Sequence, residues 1–243
     1  MRGARTATDG ARTARERRAN GDGRRANGDG RCVVNVREQP PRLIALTDRS
    51  MATEEATLQR FERLARLARP FTVMFQLRDR ELSARERLAF GRKLRALCTR
   101  ERQWFQVNDR CDLARLLDAD AVHLGEASLG AEDARRAVGA DVFVTRACHD
   151  PECTLDTRVD GWVLSPIFAQ RKGRAALGEA GIARLAARLR SDTAGASSVY
   201  ALGGVNAGNA RRAVAAGAAG VAVVGAILAE DDYEPLLGLE LPP

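Results

Sequence analysis

Eight short β-like runs separated by helix-like stretches constrain this chain more than any other feature. They are Leu43–Asp48 (LIALTD), Phe71–Arg78 (FTVMFQLR), Gln103–Asp109 (QWFQVND), Ala121–Gly125 (AVHLG), Val142–His149 (VFVTRACH), Trp162–Ile167 (WVLSPI), Ser198–Gly204 (SVYALGG) and Gly220–Ile227 (GVAVVGAI). Strands that alternate with helical crossovers imply a parallel sheet. Eight such units predict closure into an α/β fold, the (β/α)8 TIM barrel. The alternative, a doubly wound open sheet, usually carries a Gly-rich dinucleotide loop after its first strand, and LIALTDRSM has none. In a (β/α)8 barrel the active site is built from the C-terminal strand ends and the loops that follow them. There the sequence places Asp48, Gln76, Arg78, Asn108, Asp109, His123, Arg146, His149, Gly203, Gly204 and Gly225. Packing alone does not require polar groups to gather at one end of every strand.

Helices are expected near Glu54–Arg69, Ala84–Thr99, Cys111–Leu117, Ala131–Val138, Glu179–Arg190, Ala207–Ala216 and Asp231–Leu237, with no convincing one over 150–160. Ser83 followed by Glu86 reads as a capping box for the second of these. Residues 1–40 form a separate segment, with RRANGDG twice in tandem (Arg17–Gly23 and Arg24–Gly30). Without apolar periodicity it cannot bury enough surface to offset the entropy of ordering, so a disordered Arg/Gly-rich extension is expected. The catalytic barrel domain is expected over 41–243.

The formal charge of +7 suggests nucleic acid until it is divided along the chain. Residues 1–31 hold nine Arg against four carboxylates and account for +5, which leaves +2 on the rest. A basic nucleic-acid face on the folded part is therefore not indicated. No apolar run approaches the roughly 20 residues of a membrane span, and the N-terminus lacks the apolar core of a secretory signal. Five cysteines without a C-x-x-C pair argue against a disulfide framework or a zinc site and fit a reducing cytoplasm. Cys148 and His149 are neighbours in sequence but should point to opposite faces of their strand. The sequence leaves the oligomeric state open, a homo-oligomer included.

The chemistry-bearing residues cluster by strand end. Gly203 and Gly204 after the seventh run and Gly225 in the eighth suit the recurrent phosphate site of these barrels, although glycines also simply turn a chain. Gln76 and Arg78 share one face of the second run, with Arg80 beyond, and an Arg fork suits a phosphate or diphosphate. Asn108 and Asp109 add an amide and a hard carboxylate, and a carboxylate beside a diphosphate is a plausible Mg²⁺ ligand. His123, amid apolar residues, reads as a hydrogen-bonded core residue. His149 reads equally as an acid/base group or a bystander.

These residues, taken in order as TDR, QLRDR, VNDRCDLARLLDADAVHLGE, TRACH, SPIFAQRKG, ALGGV and GVAVVGAI, resemble the thiamine phosphate synthase and thiazole tautomerase family over about 43–229. The resemblance implies a (β/α)8 barrel. For the synthase it implies condensation of hydroxymethylpyrimidine diphosphate with a thiazole phosphate, releasing diphosphate with Mg²⁺, through a dissociative step. Gln76, Arg78 and Asn108 match the pyrimidine diphosphate site, and Arg80 stands where the synthases usually have Lys. Lys172 matches the Lys of the loop after strand six, although that loop is one residue short. Gly204, Val224 and Gly225 match the thiazole phosphate pocket, and Asp109 matches a Mg²⁺ ligand.

Departures from the pattern are equally specific. Ser128 replaces the second Mg²⁺ carboxylate, which leaves Glu126 as a candidate substitute, and Ala147 and Gly225 replace serines. Arg146 and His149 match the tautomerase pattern, in which the His transfers the proton. A tautomerase and a non-catalytic barrel that binds thiazole or thiamine phosphate are therefore the alternatives. The synthase is preferred because a tautomerase would not need the diphosphate residues.

Overall fold

The barrel strands are largely apolar on both faces because both are covered, with their buried polar side chains on the inward face toward the C-terminal ends. One face packs into the barrel and the other against the helices, which is why the runs read as nearly continuous hydrophobic stretches. The structure, a computed structural model, describes residues 40–192, 197–230 and 233–239. Before them it describes only an antiparallel pair, Arg25–Ala26 with Cys32–Val33. The remainder of the expected disordered extension lies outside the described residues.

Eight parallel strands close the barrel: β1 (Leu43–Leu46), β2 (Val73–Leu77), β3 (Trp104–Asn108), β4 (Ala121–Leu124), β5 (Phe143–Cys148), β6 (Gly161–Leu164), β7 (Ser198–Leu202) and β8 (Gly220–Val223). Neighbours in sequence pair throughout, and β8 returns to β1 through Val221 opposite Leu43. Between them run α1 (Glu54–Leu67), α2 (Ala84–Arg100), α3 (Cys111–Leu116), α4 (Ala131–Val138), α5 (Gly178–Asp192), α6 (Ala210–Ala215), α7 (Gly225–Leu228) and α8 (Glu234–Leu237). Among the described residues no helix lies between β5 and β6, as expected.

Alternation along the strands makes two cores. Ile44, Leu46, Met74, Trp104, Phe143, Val163 and Tyr200 fill the barrel. Their neighbours Leu43, Ala45, Val73, Phe75, Phe105 and Val122 face outward to Phe61, Leu64, Phe90, Leu94 and the other helix residues. Ser83 accepts from the Glu86 N–H while the Glu86 carboxylate accepts from the Ser83 N–H, so the capping box of α2 is formed. Two expectations need correction. Strand eight stops at Val223: Val224 leaves the extended region (φ −122°, ψ −71°), and the apolar Gly225–Leu228 that follows is the short helix α7. The expected helix over Ala207–Ala216 begins only at Ala210, because the Asn206 and Asn209 side chains accept from the Gly208 and Asn206 backbone N–H groups and hold a loop instead.

Candidate active site

The C-terminal ends of the strands surround a cavity of about 320 Å³. Its floor is apolar, with Leu46, Val163, Leu202, Ala222 and Val224, and its walls carry Gln76, Asn108, His123, His149 and Ser165. Five cationic side chains line it, Arg78, Arg80, Arg171, Lys172 and Arg174, against two carboxylates, Asp109 and Glu126. An open depression of about 510 Å³ at the ends of β1 and β2 shares Arg78 and Arg80 with it. The excess of positive charge around an apolar floor suits an anionic ligand with a flat apolar body.

The arginine of QLRDR is held in place. Arg78 donates its backbone N–H to Thr47 Oγ1 (2.9 Å), and its guanidinium lies 3.3 Å from Asp48 Oδ2. Burial pushes the Asp48 carboxyl up, but hydrogen bonds from Ser50 and the charges of Arg78 and Arg171 outweigh burial and set it below the usual range. Asp48 therefore stays ionised as the anchor of Arg78. Gln76 and Asn108 are each only 2% exposed, and Gln76 Oε1 and Asn108 Nδ2 have no hydrogen-bond partner among the described residues. Two unpaired buried polar atoms in a cavity wall are the mark of groups that await a ligand.

Lys172 reaches the site through a small hairpin. Arg171 and Arg174 exchange backbone hydrogen bonds (3.2 and 3.0 Å) around Lys172 and Gly173, whose φ values of 51° and 75° match a type I′ turn. Glycine relieves the second of these positions. Gly204, at φ 72°, lets the chain pass the loop after β6 so closely that a Cβ there would meet Ala169 N at 2.7 Å. The close approach of Gly203 and Gly204 is thus to the loop of residues 166–169. Gly203 and Val224 line the cavity, whereas Gly204 and Gly225 are not among the lining residues.

Asp109 adopts φ 70° and accepts a short hydrogen bond from the Ser128 hydroxyl, whose oxygen also accepts from the Gly125 N–H (2.6 Å). Glu126 goes elsewhere: its carboxylate accepts from Arg174 (3.0 and 3.2 Å) and lies 3.8 Å from His149 Nε2. Among the described residues no three His, Cys, Asp or Glu side chains come together as a metal cluster. One carboxylate and a hydroxyl still suit Mg²⁺, which is commonly held by one or two carboxylates together with substrate phosphates.

His149 lines the cavity and Cys148 packs in the outer core, the divergence expected from strand geometry. His149 Nδ1 is 2.6 Å from the Ser165 carbonyl, to which it donates, and this bond fixes the ring with Nε2 toward the Glu126 carboxylate. Arg146 does not join the cavity lining; its guanidinium donates to the Leu129 carbonyl (3.1 Å), because it shares the outward parity of Cys148. His123 is the residue that the sequence reading placed too deep. It is bonded through Nδ1 to Thr145 (2.9 Å), but it also lines the cavity, a position its alternation with Ala121 and Gly125 could have signalled. Ser165 and Arg174 were likewise not singled out from sequence.

Comparison with known proteins fits this arrangement. The sequence model of a family described as thiamine monophosphate synthase matches residues 43–227. The chain belongs to the thiamine monophosphate synthase family. Within that family it is 38% identical over 196 residues to a thiamine-phosphate synthase of Thermus thermophilus, covering 79% of this chain and 90% of the relative. It is 37% identical to a putative thiamine-phosphate synthase of Geobacter sulfurreducens, covering 65% of this chain and 74% of that one. A thiamine phosphate pyrophosphorylase from Pyrococcus furiosus shares the fold, with a TM-score of 0.65 at 23% identity over 84% of this chain and 94% of that chain. No helix among the described residues is long and apolar enough to cross a membrane.

Proposed function

We propose that this family member is a thiamine-phosphate synthase, joining hydroxymethylpyrimidine diphosphate to a thiazole phosphate and releasing diphosphate. The observation that carries the reading is the cationic rim over an apolar floor with the unpaired Gln76 and Asn108 atoms in its wall. The pyrimidine lies on the apolar floor with Gln76 and Asn108 as its polar partners. Arg78, Arg80 and Lys172 surround the diphosphate and stabilise the charge that grows on it as the carbon–oxygen bond breaks. The thiazole nitrogen then forms the new carbon–nitrogen bond. Gly204, Val224 and Gly225, at the ends of β7 and β8, belong to the thiazole phosphate end.

Mg²⁺, when bound, would supply further charge neutralisation. Asp109 and the Ser128 hydroxyl are the groups that would hold it, and Glu126 would join them only by leaving Arg174. His149 offers Nε2 at the wall as a substrate contact, with its ring fixed by Ser165. The reaction takes small phosphorylated substrates, and a cytoplasmic location is part of the same reading.

Purified protein incubated with both substrates and Mg²⁺ is expected to yield thiamine phosphate, and Arg78→Ala to lower kcat/KM by roughly 10²–10³-fold with the fold intact. Absence of the product, together with aromatisation of a thiazole phosphate tautomer that is lost in His149→Ala, would transfer the assignment to the tautomerase.

A further inference from the structure

Inside the barrel four polar side chains form one continuous series of hydrogen bonds. Gln76 Nε2 donates to Gln106 Oε1 (2.6 Å), Gln106 Nε2 donates to Thr145 Oγ1 (2.8 Å), and Thr145 Oγ1 lies 2.9 Å from His123 Nδ1. Gln106 and Thr145 are fully buried and stand behind the cavity, whereas Gln76 and His123, at the two ends, line it. Strand register brings them together. Gln76 pairs with Gln106 across β2 and β3, and His123 pairs with Thr145 across β4 and β5. Gln106 reaches past β4 because its partner there is Ala121, whose methyl leaves the space open.

This series has a direction. An amide carries its oxygen and its nitrogen on opposite sides, so Gln76, which gives its NH₂ to Gln106, is left with Oε1 as its free acceptor; that atom has no partner among the described residues. Gln106 accepts at one end and donates at the other, so Thr145 Oγ1 is an acceptor with one proton still to give. Two acceptors are within reach, His123 Nδ1 at 2.9 Å and the Val122 carbonyl at 3.5 Å, and the shorter contact takes the proton. His123 Nδ1 is then unprotonated. An imidazole that accepts a proton at Nδ1 is neutral and carries its own proton on Nε2.

We propose that Gln106 and Thr145 are positioning residues that set how this site reads the base of its substrate, by committing Gln76 to be an acceptor and His123 to be an Nε2–H donor. The identity of the base rests on the synthase reading above. An aminopyrimidine supplies the complement, an amine that donates and ring nitrogens that accept. A base with an oxo group in place of the amine sets one acceptor against the Gln76 oxygen, an unpaired arrangement that such sites reject strongly.

The test uses the full-length chain, which has two histidines, labelled with ¹⁵N. In the free wild-type protein His123 is expected to show a protonated Nε2 and an unprotonated Nδ1. Thr145→Val keeps the shape and removes the hydroxyl. It is expected to abolish that single-tautomer signature and to raise KM for the pyrimidine diphosphate roughly tenfold, the loss of about one hydrogen bond. kcat and the KM for the thiazole phosphate should stay nearly unchanged. Thr145→Ser should restore both readouts, and Gln106→Leu should raise the same KM. A wild-type His123 protonated at Nδ1, or a tautomer and pyrimidine KM that Thr145→Val leaves in place, overturns the proposal. Because the tautomer is read without substrate, a wild type with the expected signature but no turnover overturns the synthase reading instead.

Discussion

At Asp109 one carboxylate stands where a pair would bind a divalent ion more tightly, because residue 128 is a serine whose hydroxyl hydrogen-bonds to it. Ser128→Asp would place two carboxylates side by side. Without an ion they repel and one pKa rises; with Mg²⁺ bound that repulsion becomes attraction. The variant is therefore expected to be less stable than wild type in chelator and to gain more in melting temperature on Mg²⁺ addition. In the synthase assay its Mg²⁺ titration should saturate at lower concentration. Thermal shifts and titrations that superimpose on wild type would show that Asp109 does not face the ion. The same scale shows where sequence reading stops. Gln76, Arg78 and Asn108 were legible because strand parity and position at a strand end suffice to aim them at the mouth, whereas Asp109, of opposite parity, reaches it because the chain turns there at φ 70°. Gln106 and Thr145 have the same inward parity two residues before Asn108 and Ala147 on their own strands, yet their importance depends on a contact reaching past a whole strand, which hydrophobic pattern does not encode. Glu126 shows the converse: proximity in sequence to Ser128 suggested the metal, whereas Arg174, on a different loop, holds its carboxylate.

At the scale of elements, the eight strands could be read because both of their faces are buried, and the capping box of α2 because its two partners are three residues apart. Ends were less legible: Gly225–Leu228 is as apolar as a strand, and only the backbone turn at Val224 makes it helical. A device repeated at the opposite end of the barrel from the site was not visible in the sequence at all. Asp120 precedes β4, accepts from the Phe105 N–H of β3 (2.8 Å) and pairs with Arg95 of α2 (2.8 Å). Asp160 precedes β6, accepts from the Val144 N–H of β5 (2.7 Å) and pairs with Arg135 of α4. Each aspartate ties a strand, the preceding helix and the start of the next strand at one point. Asp160→Ala removes a charged acceptor from a strand N–H and leaves Arg135 with backbone carbonyls as its acceptors and no carboxylate, so a loss of about 2–3 kcal/mol in unfolding free energy is expected. Urea denaturation measures this directly. Synthase kinetics should be spared, since Asp160 lies before its strand and the cavity after it; a stability unchanged within error would mean that water replaces the carboxylate at no cost.

The whole molecule divides its tasks between the two ends of the barrel, with stitching below and a cationic mouth above, and the mouth sets its behaviour in acid. His123 sits beneath Arg78 and Arg80, and burial with their charges lowers its pKa to about 3 from the 6.5 of an ordinary histidine. In the unfolded chain the same imidazole takes up a proton near pH 6.5. Between that value and about pH 3 the unfolded state therefore binds a proton that the folded state refuses. The contribution of this residue is complete above pH 6.5 and falls as pH drops, by at most about 1.4 kcal/mol per pH unit. Asp79 works in the opposite sense: burial raises its carboxyl, so the stability it contributes is lost as pH rises through its raised value. His149 and Asp79 are the same in wild type and in His123→Asn, so the difference between these two proteins isolates the imidazole. Unfolding free energies measured at pH 7 and pH 5 should show wild type losing about 2 kcal/mol more than His123→Asn over that interval. Equal losses would show that His123 is not held neutral, and the fixed Nε2–H donor would then fail together with the buried chain of hydrogen bonds that is argued to set it.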